Sequence, residues 1–212
     1  MLTHPHPDHL NGLKAVVRNF GVAQFHEAVG DPDDLSYREF KALLTPRTRQ
    51  TRWLKGEVLR RDGVLIEVLH PDASRPAAAP ADNDLSLVLR LSMDGFSCLL
   101  AADIGARAEG ELVDGADGLI SDVLKVPHHG SRTSSSRAFV EAVRPAIAVV
   151  TAGHGNRYGL PHEDILARYR EAGARLLRTD RDGAVEVTFE GRAILVRTHE
   201  NSGDAANGNN SG

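Results

Sequence analysis

The stretch "THPHPDHLNGL", residues 3–13, decides how the rest of the chain is read. It brings His4, His6, Asp8 and His9 close together and leads straight into Leu10, Leu13, Val17 and Phe20, an apolar pattern of helical period that Gly21 is placed to end. Pro5 and Pro7 have a fixed φ and no N–H, so they disfavour helix and favour an extended loop ahead of Leu10. Residues two apart in an extended chain point to the same side. His4 and His6 can therefore converge on one ion, while Asp8 and His9, at the turn into the helix, can serve a second. Imidazole and carboxylate without thiolate suit Zn²⁺, Mn²⁺ or Fe. The competing reading, a Pro/His-rich end or a tag with no role, does not explain why the cluster runs directly into an amphipathic helix.

Composition bounds what such a site could serve. With 212 residues, 41 % hydrophobic and 25 % charged, the chain can bury a core as one domain or a large part of one. A net charge of −4 gives no global basic field for nucleic acid, so a polyanionic substrate must be held by local charge or by metal. The single cysteine, Cys98, lies in the apolar run "FSCLLAAD" and reads as core, which excludes an internal disulfide framework. No apolar stretch approaches the roughly 20 residues that span a bilayer.

Along the chain, "VAQFHEAV" reads as a strand and "LSYREFKALL" as a helix stopped by Pro46. A hairpin is expected about Asp62-Gly63 and a second about Asp94-Gly95, with "FSCLLAAD" buried on both faces. Between them, "PDASRPAAAPADND" is a loop. Helices around 106–113, 135–143 and 163–172 then alternate with the strands "DVLKV", "AIAVVTAG" and "ARLLRT". A final hairpin is expected to turn at Asp182-Gly183, with Val185, Val187 and Phe189 on one face. Hairpins followed by strand–helix alternation imply a layered α/β (α+β) architecture. Residues 1–199 form one expected domain; residues 200–212, without a large apolar side chain, form an expected disordered tail.

Three further features carry chemistry. Asp103 ends a strand, where ligand sites of α/β sheets gather, although an Asp there can equally cap the next helix. "KVPHHGSRTSSS" delivers His128 and His129 as potential metal ligands, then Ser131, Arg132, Thr133 and Ser134 as donors suited to phosphate oxygens. Part of that run must also cap the helix after it. In "GHGNRYGLPHED", glycines let the backbone approach a ligand, and Asn156, Arg157, Tyr158 and His162 are candidates to reach substrate. His26, His70 and His199 read as packing or surface residues. The set provides acceptors for two cations, and metal-assisted hydrolysis is the reaction class that fits.

"THPHPDHLNGL" resembles the HxHxDH signature of the metallo-β-lactamase superfamily. The segments "NDLSLVLRL", "DVLKVPHHGSRTSSS", "NRYGLPH" and "LLRTDRDGAVEV" are similar to the C-terminal hydrolase domain of the ComEC-type DNA-internalisation competence proteins. The resemblance runs from residue 3 to about residue 190 and implies an αββα sandwich with two divalent metal ions, zinc or manganese, at one edge of its sheets. It implies His4 and His6 for the first ion, Asp8 and His9 for the second, Asp103 as the bridging carboxylate, and His129, with His128 beside it, as the late histidine. Three positions depart from the pattern. Asn11-Gly12 replaces a glycine pair, and Ala102 replaces the glycine before the bridging Asp. The middle histidine has no match, which leaves Asp82, Asn83 or Asp84 in its place.

The resemblance implies a nuclease or phosphodiesterase for DNA, with Asp8 and His162 handling protons and Arg132, Arg157 and the Ser/Thr run gripping phosphates. It also implies a chain that lacks its first strands, is part of a longer protein with a membrane channel encoded upstream, and sits outside the cytoplasm at an inner membrane. Two alternatives stand beside it: a small-molecule metallo-hydrolase for lactones, thioesters or phosphonate esters, and a truncated, non-catalytic domain.

Overall fold

The computed structural model describes residues 1–73, 83–115, 118–191 and 193–199. The expected tail, most of the loop before Asn83 and Asp82 itself lie outside the described residues.

Helix α1 spans Pro7–Asn19 and begins earlier than the apolar period suggests. Pro7 occupies its first turn, where a missing N–H costs nothing and the fixed φ is already helical. Asp8 and His9 are therefore helical residues, while His6 (φ −67°, ψ 149°) ends the extended approach. Strand β1 (Gln24–Glu27) and helix α2 (Leu35–Leu43) follow, the latter capped by Asp34, whose carboxylate accepts the Tyr37 N–H. Leu2, Leu10, Phe25, Tyr37, Phe40 and Leu44 form the core between these helices and β1. Strand β2 (Arg49–Arg52), which has no apolar residue to announce it, pairs parallel with β1.

Both expected early hairpins form: β3 (Val58–Arg61) with β4 (Val64–His70), and β5 (Val88–Met93) with β6 (Phe96–Leu100). Helix α3 (Ala106–Asp114), strand β7 (Val123–Lys125), helix α4 (Arg137–Val143), strand β8 (Ile147–Val150), helix α5 (Glu163–Glu171) and strand β9 (Arg175–Arg178) then alternate. The seven strands β3 to β9 lie in one sheet in chain order, antiparallel as far as β6 and parallel from β6 to β9. Strand β6 is not buried on both faces as its composition suggests: Leu100 is exposed and Cys98 half-buried.

The last hairpin turns later than Asp182-Gly183. Those residues close a one-turn helix α6 (Thr179–Asp182), and β10 (Ala184–Glu190) pairs antiparallel with β11 (Ala193–His199). Val185, Val187 and Phe189 do share a face, which packs on Cys98, Val123, Ile147 and Leu177. Alternation along the strands separates the two faces of the large sheet. Val88, Leu99, Leu124 and Ala148 face α3, α4 and α5, whereas Leu87, Leu89 and Val123 face the other way. α1 and α2 pack on the β1–β2 pair, the β1–β2 and β10–β11 pairs lie on one face of the seven-stranded sheet and α3 to α5 on the other, the layering of an αββα sandwich.

Candidate metal centre

Because β6, β7 and β8 run parallel, their carboxyl ends open on one edge of the sheet, where ligand sites of α/β folds gather. Asp103 follows β6, His128 and His129 follow β7, and Thr151 follows β8. Residues 3–9 reach the same edge from the other layer, held there by the Leu87 N–H, which donates to the Thr3 carbonyl (3.0 Å).

One ligand atom from each of Asp8, His9, Asp103 and His129 lies within 4.8 Å of the other three. Asp103 Oδ2 is 3.3 Å from both His9 Nε2 and His129 Nε2, and Asp8 Oδ2 is 3.5 and 3.4 Å from the same atoms. His4 stacks beside His9 (ring centroids 4.2 Å), and His6 packs edge-on to His4 (4.7 Å). Asp103 is buried and does not cap α3, whose N-cap is Gly105.

These residues fit a cation. His4 Nε2 and His9 Nε2 are buried with no hydrogen-bond partner among the described residues, an arrangement that is costly unless something binds the lone pairs. Ring orientation supports the same end. His129 Nδ1–H donates to the Thr151 carbonyl (2.7 Å), so in the neutral ring Nε2 is left as the acceptor facing the site. The Thr3 hydroxyl lies 3.2 Å from Nδ1 of both His4 and His9. When it accepts from both, both Nε2 lone pairs face the site. Sequence reading overlooked Thr3; its one signal is its place directly ahead of the histidine run.

Electrostatics make Asp103 a committed anion. Burial alone would raise its carboxyl pKa, but His129 and His9, which donate to it when protonated, and the Lys125 charge hold it far below the ordinary range. Lys125 Nζ bonds Asp103 Oδ1 (3.2 Å) and donates to the Ala102 carbonyl (2.9 Å), leaving Oδ2 to the histidines. Lys125 was also missed by sequence reading, since a lysine ending a short strand looks like a solvent contact. His129 is raised, first by its hydrogen bond to Asp103; His128 is lowered by burial.

The backbone here is strained. Ala102 (φ 48°), His128 (φ 45°) and His129 (φ 55°) adopt left-handed conformations that non-glycine residues rarely take, the kind of strain that gathers at functional sites. Gly130 (φ 80°) continues the turn, and a Cβ there would lie 2.5 Å from Pro161 Cβ.

The remaining candidates separate. Thr133 Oγ1 lies 3.1 Å from His128 Nδ1 and 3.0 Å from Ser131 Oγ, so these hydroxyls flank the site. Ser134 is buried, donating to the carbonyls of Pro127 and Ser131, and is not available to substrate. Ser136 caps α4. Arg132 is paired with Asp164 (3.1 Å) at the surface. Asn156 is spent on its own loop: its amide donates to the Gly153 and Leu160 carbonyls and accepts the Leu160 N–H. Arg157 lies over the Tyr158 ring (4.9 Å). His162 is the N-cap residue of α5, its N–H given to the Gly130 carbonyl, and is not among the four clustered ligands. In the segment expected to supply the middle histidine, Asp84 Oδ1 accepts the Gly105 N–H (2.7 Å), and the buried Asn83 Oδ1 has no hydrogen-bond partner among the described residues. His70 is buried against the Ser86 carbonyl, His26 stacks on Trp53, and the exposed His199 lies 3.8 Å from Glu186.

Comparison with known proteins agrees with this geometry. The chain is 30 % identical over 195 residues to ComE operon protein 3 of Bacillus subtilis, covering 91 % of this chain and 24 % of that protein. It is 35 % identical over 189 residues to competence protein ComA of Neisseria gonorrhoeae, with 88 % and 24 % covered. Recombination protein 2 of Haemophilus influenzae is 27 % identical over 189 residues, with 89 % and 22 % covered. The chain thus spans about a quarter of the length of these competence-type relatives. Residues 1–154, most of the sequence and all four clustered ligands, match the family model, and the chain belongs to the metallo-beta-lactamase superfamily.

Proposed function

We propose that the chain is a metal-dependent phosphodiesterase whose substrate is DNA. The observation that carries the reading is the convergence of Asp8, His9, Asp103 and His129 at the carboxyl ends of parallel strands. Its supports on substrate are the likeness to competence proteins and the Ser131, Arg132 and Thr133 donors beside His128. In this reading His4 and His6 would hold one cation and Asp8, His9 and His129 a second, with Asp103 available to both, and the ions would be zinc or manganese.

Two divalent ions supply Lewis acidity and a hydroxide nucleophile near neutral pH. The chain's own residues do the rest. Asp103, fixed by Lys125, keeps one oxygen turned to the histidines. Asp8, with a side chain 60 % exposed beside His129, is the carboxylate open to water and the group that takes a proton. His162, at the start of α5, is less suited to that task. The Arg132–Asp164 pair is exposed and weakly held, so Arg132 can turn to a phosphate at little cost.

The test is metal content together with hydrolysis of DNA, a generic phosphodiester and a lactone, with Mn²⁺ or Zn²⁺ supplied. Wild type is expected to retain metal and cut DNA, and Asp8→Ala and His129→Ala to lose more than about 100-fold in rate. Lactone turnover without phosphodiester turnover overturns the proposal. Substoichiometric metal together with an inert Asp8→Ala substitution would instead mark a non-catalytic domain.

A further inference from the structure

Beside Asp8 and His129 lies a cavity of about 410 Å³, within the range of roughly 300–1,000 Å³ typical of small-molecule sites. Among the described residues no Lys or Arg lines it, so away from its Asp8 and His129 end it offers no positive charge to a phosphate. Beyond the end formed by Asp8, His129 and Thr151, the polar side chains Asn156 and Thr179 are already engaged. Asn156 makes three hydrogen bonds to its own loop, and Thr179 Oγ1 both donates to the Ala152 carbonyl and accepts the Ala152 N–H (2.9 Å each). What remains is the surface of Ala152, Gly153 and Leu160 and the Tyr158 side chain. Such a lining suits a flat, uncharged group.

Tyr158 stands apart from the other Tyr and Trp residues. The chain has three tyrosines and one tryptophan. Tyr37, Tyr169 and Trp53 are buried, whereas Tyr158 is 65 % exposed. It is held in that position. The Asn156 amide ties Gly153 to Leu160 around it, and Arg157 donates to its hydroxyl (2.7 Å) with the guanidinium over the ring. An exposed aromatic fixed at the mouth of an apolar cavity is the arrangement on which proteins stack bases.

We propose that this cavity takes the nucleobase next to the scissile phosphate, stacked on Tyr158, so that specificity for nucleic acid over other phosphodiesters resides in the 153–160 loop. This rests on the phosphodiester reading above: the phosphate is held at the Asp8/His129 end and the neutral base in the cavity. It assigns Arg157 to backing the ring rather than gripping phosphate, and Asn156 to holding the loop.

The experiment compares a dinucleotide with its two single-abasic analogues on the metal-loaded protein. Wild type is expected to show a KM about tenfold lower for the dinucleotide than for at least one analogue, the size of one base stack. Tyr158→Ala should bring that ratio close to one, and Tyr158→Phe should keep it. A ratio unaffected by Tyr158→Ala, or no discrimination in wild type, overturns the proposal and leaves phosphodiester hydrolysis standing. A second measurement is independent of turnover: calorimetric binding of a nucleoside 5′-monophosphate against ribose 5-phosphate. If wild type cleaves no phosphodiester, the functional reading fails, and this comparison alone decides the cavity. About tenfold preference that Tyr158→Ala removes supports the base site; equal affinities refute it.

Discussion

His4 shows what a ligand site costs a protein at the scale of one residue. Burial first, then the charge of neighbouring His9, push its imidazole pKa down to about 3. The folded site thus presents a neutral ring, ready for a cation, while the unfolded chain takes up a proton below its ordinary pKa near 6.5. The stability that depends on a neutral His4 is present above pH 6.5 and is lost as pH falls toward 3. His129 runs oppositely: its pKa is raised, so its contribution is present below 6.5 and is lost as pH rises through the folded value. Comparing variants isolates His4. In chelator-treated protein, lowering the pH from 7 to 4.5 should cost wild type about 2–3 kcal/mol more than His4→Gln, measured by urea unfolding. Equal losses would mean that His4 is accessible to protons in the fold. The four clustered candidate ligands were all legible as residue types, because histidine and aspartate at strand ends or after prolines have few other duties. The strain at Ala102 was not, since only the observed φ shows why a glycine would suit that position.

Between elements, the loop that presents His128 and His129 is anchored by a carboxylate from a different helix. Glu109 in α3 is buried and accepts the N–H groups of Ser135 and Ser136 (2.7 Å for the latter). Tyr169 donates its hydroxyl to Ser135 Oγ (2.9 Å), and Arg168 bonds the Ser135 carbonyl (2.8 Å), so α3 and α5 together fix the start of α4. Glu109→Ala removes the carboxyl acceptor of one buried and one half-buried N–H and should cost about 2–3 kcal/mol in urea unfolding. Glu109→Gln, which keeps one acceptor oxygen, should lose less. An unchanged midpoint for Glu109→Ala would show that solvent replaces the carboxylate freely. Sequence gave no warning of this contact, because a glutamate in a helix reads as a solvated side chain. The elements themselves divide in the same way. The helices and hairpins with apolar periodicity were legible, and β2, whose "RQTR" is set by backbone pairing to β1, was not. The last hairpin was displaced because Asp182-Gly183 does mark a turn, but one that ends α6.

At the scale of the whole molecule, the site joins two layers. One supplies residues 3–9 and the other supplies Asp103 and His129, far away in sequence. Parallel strand order brings these last two together, which is why a layered α/β reading puts both at strand ends without a contact to argue from. The β10–β11 hairpin tests whether the layers are separable. Its apolar face covers Cys98, Val123, Ile147 and Leu177, and Phe189 stacks on Phe96 with ring centroids 4.6 Å apart. None of the clustered metal ligands belongs to that packing. Phe189 is half-buried, so Phe189→Ala should cost about 2 kcal/mol, below the 3–5 kcal/mol of a fully buried aromatic. Metal per chain, measured on the folded variant, should equal that of wild type, because the ends of β6 and β7 are held from the other face by α3 and α4 and at the sheet edge by the Lys125 bonds to Asp103 and Ala102. If metal falls together with stability, the hairpin is part of what shapes the centre, and the sheet transmits packing on one face to the ligands at its edge.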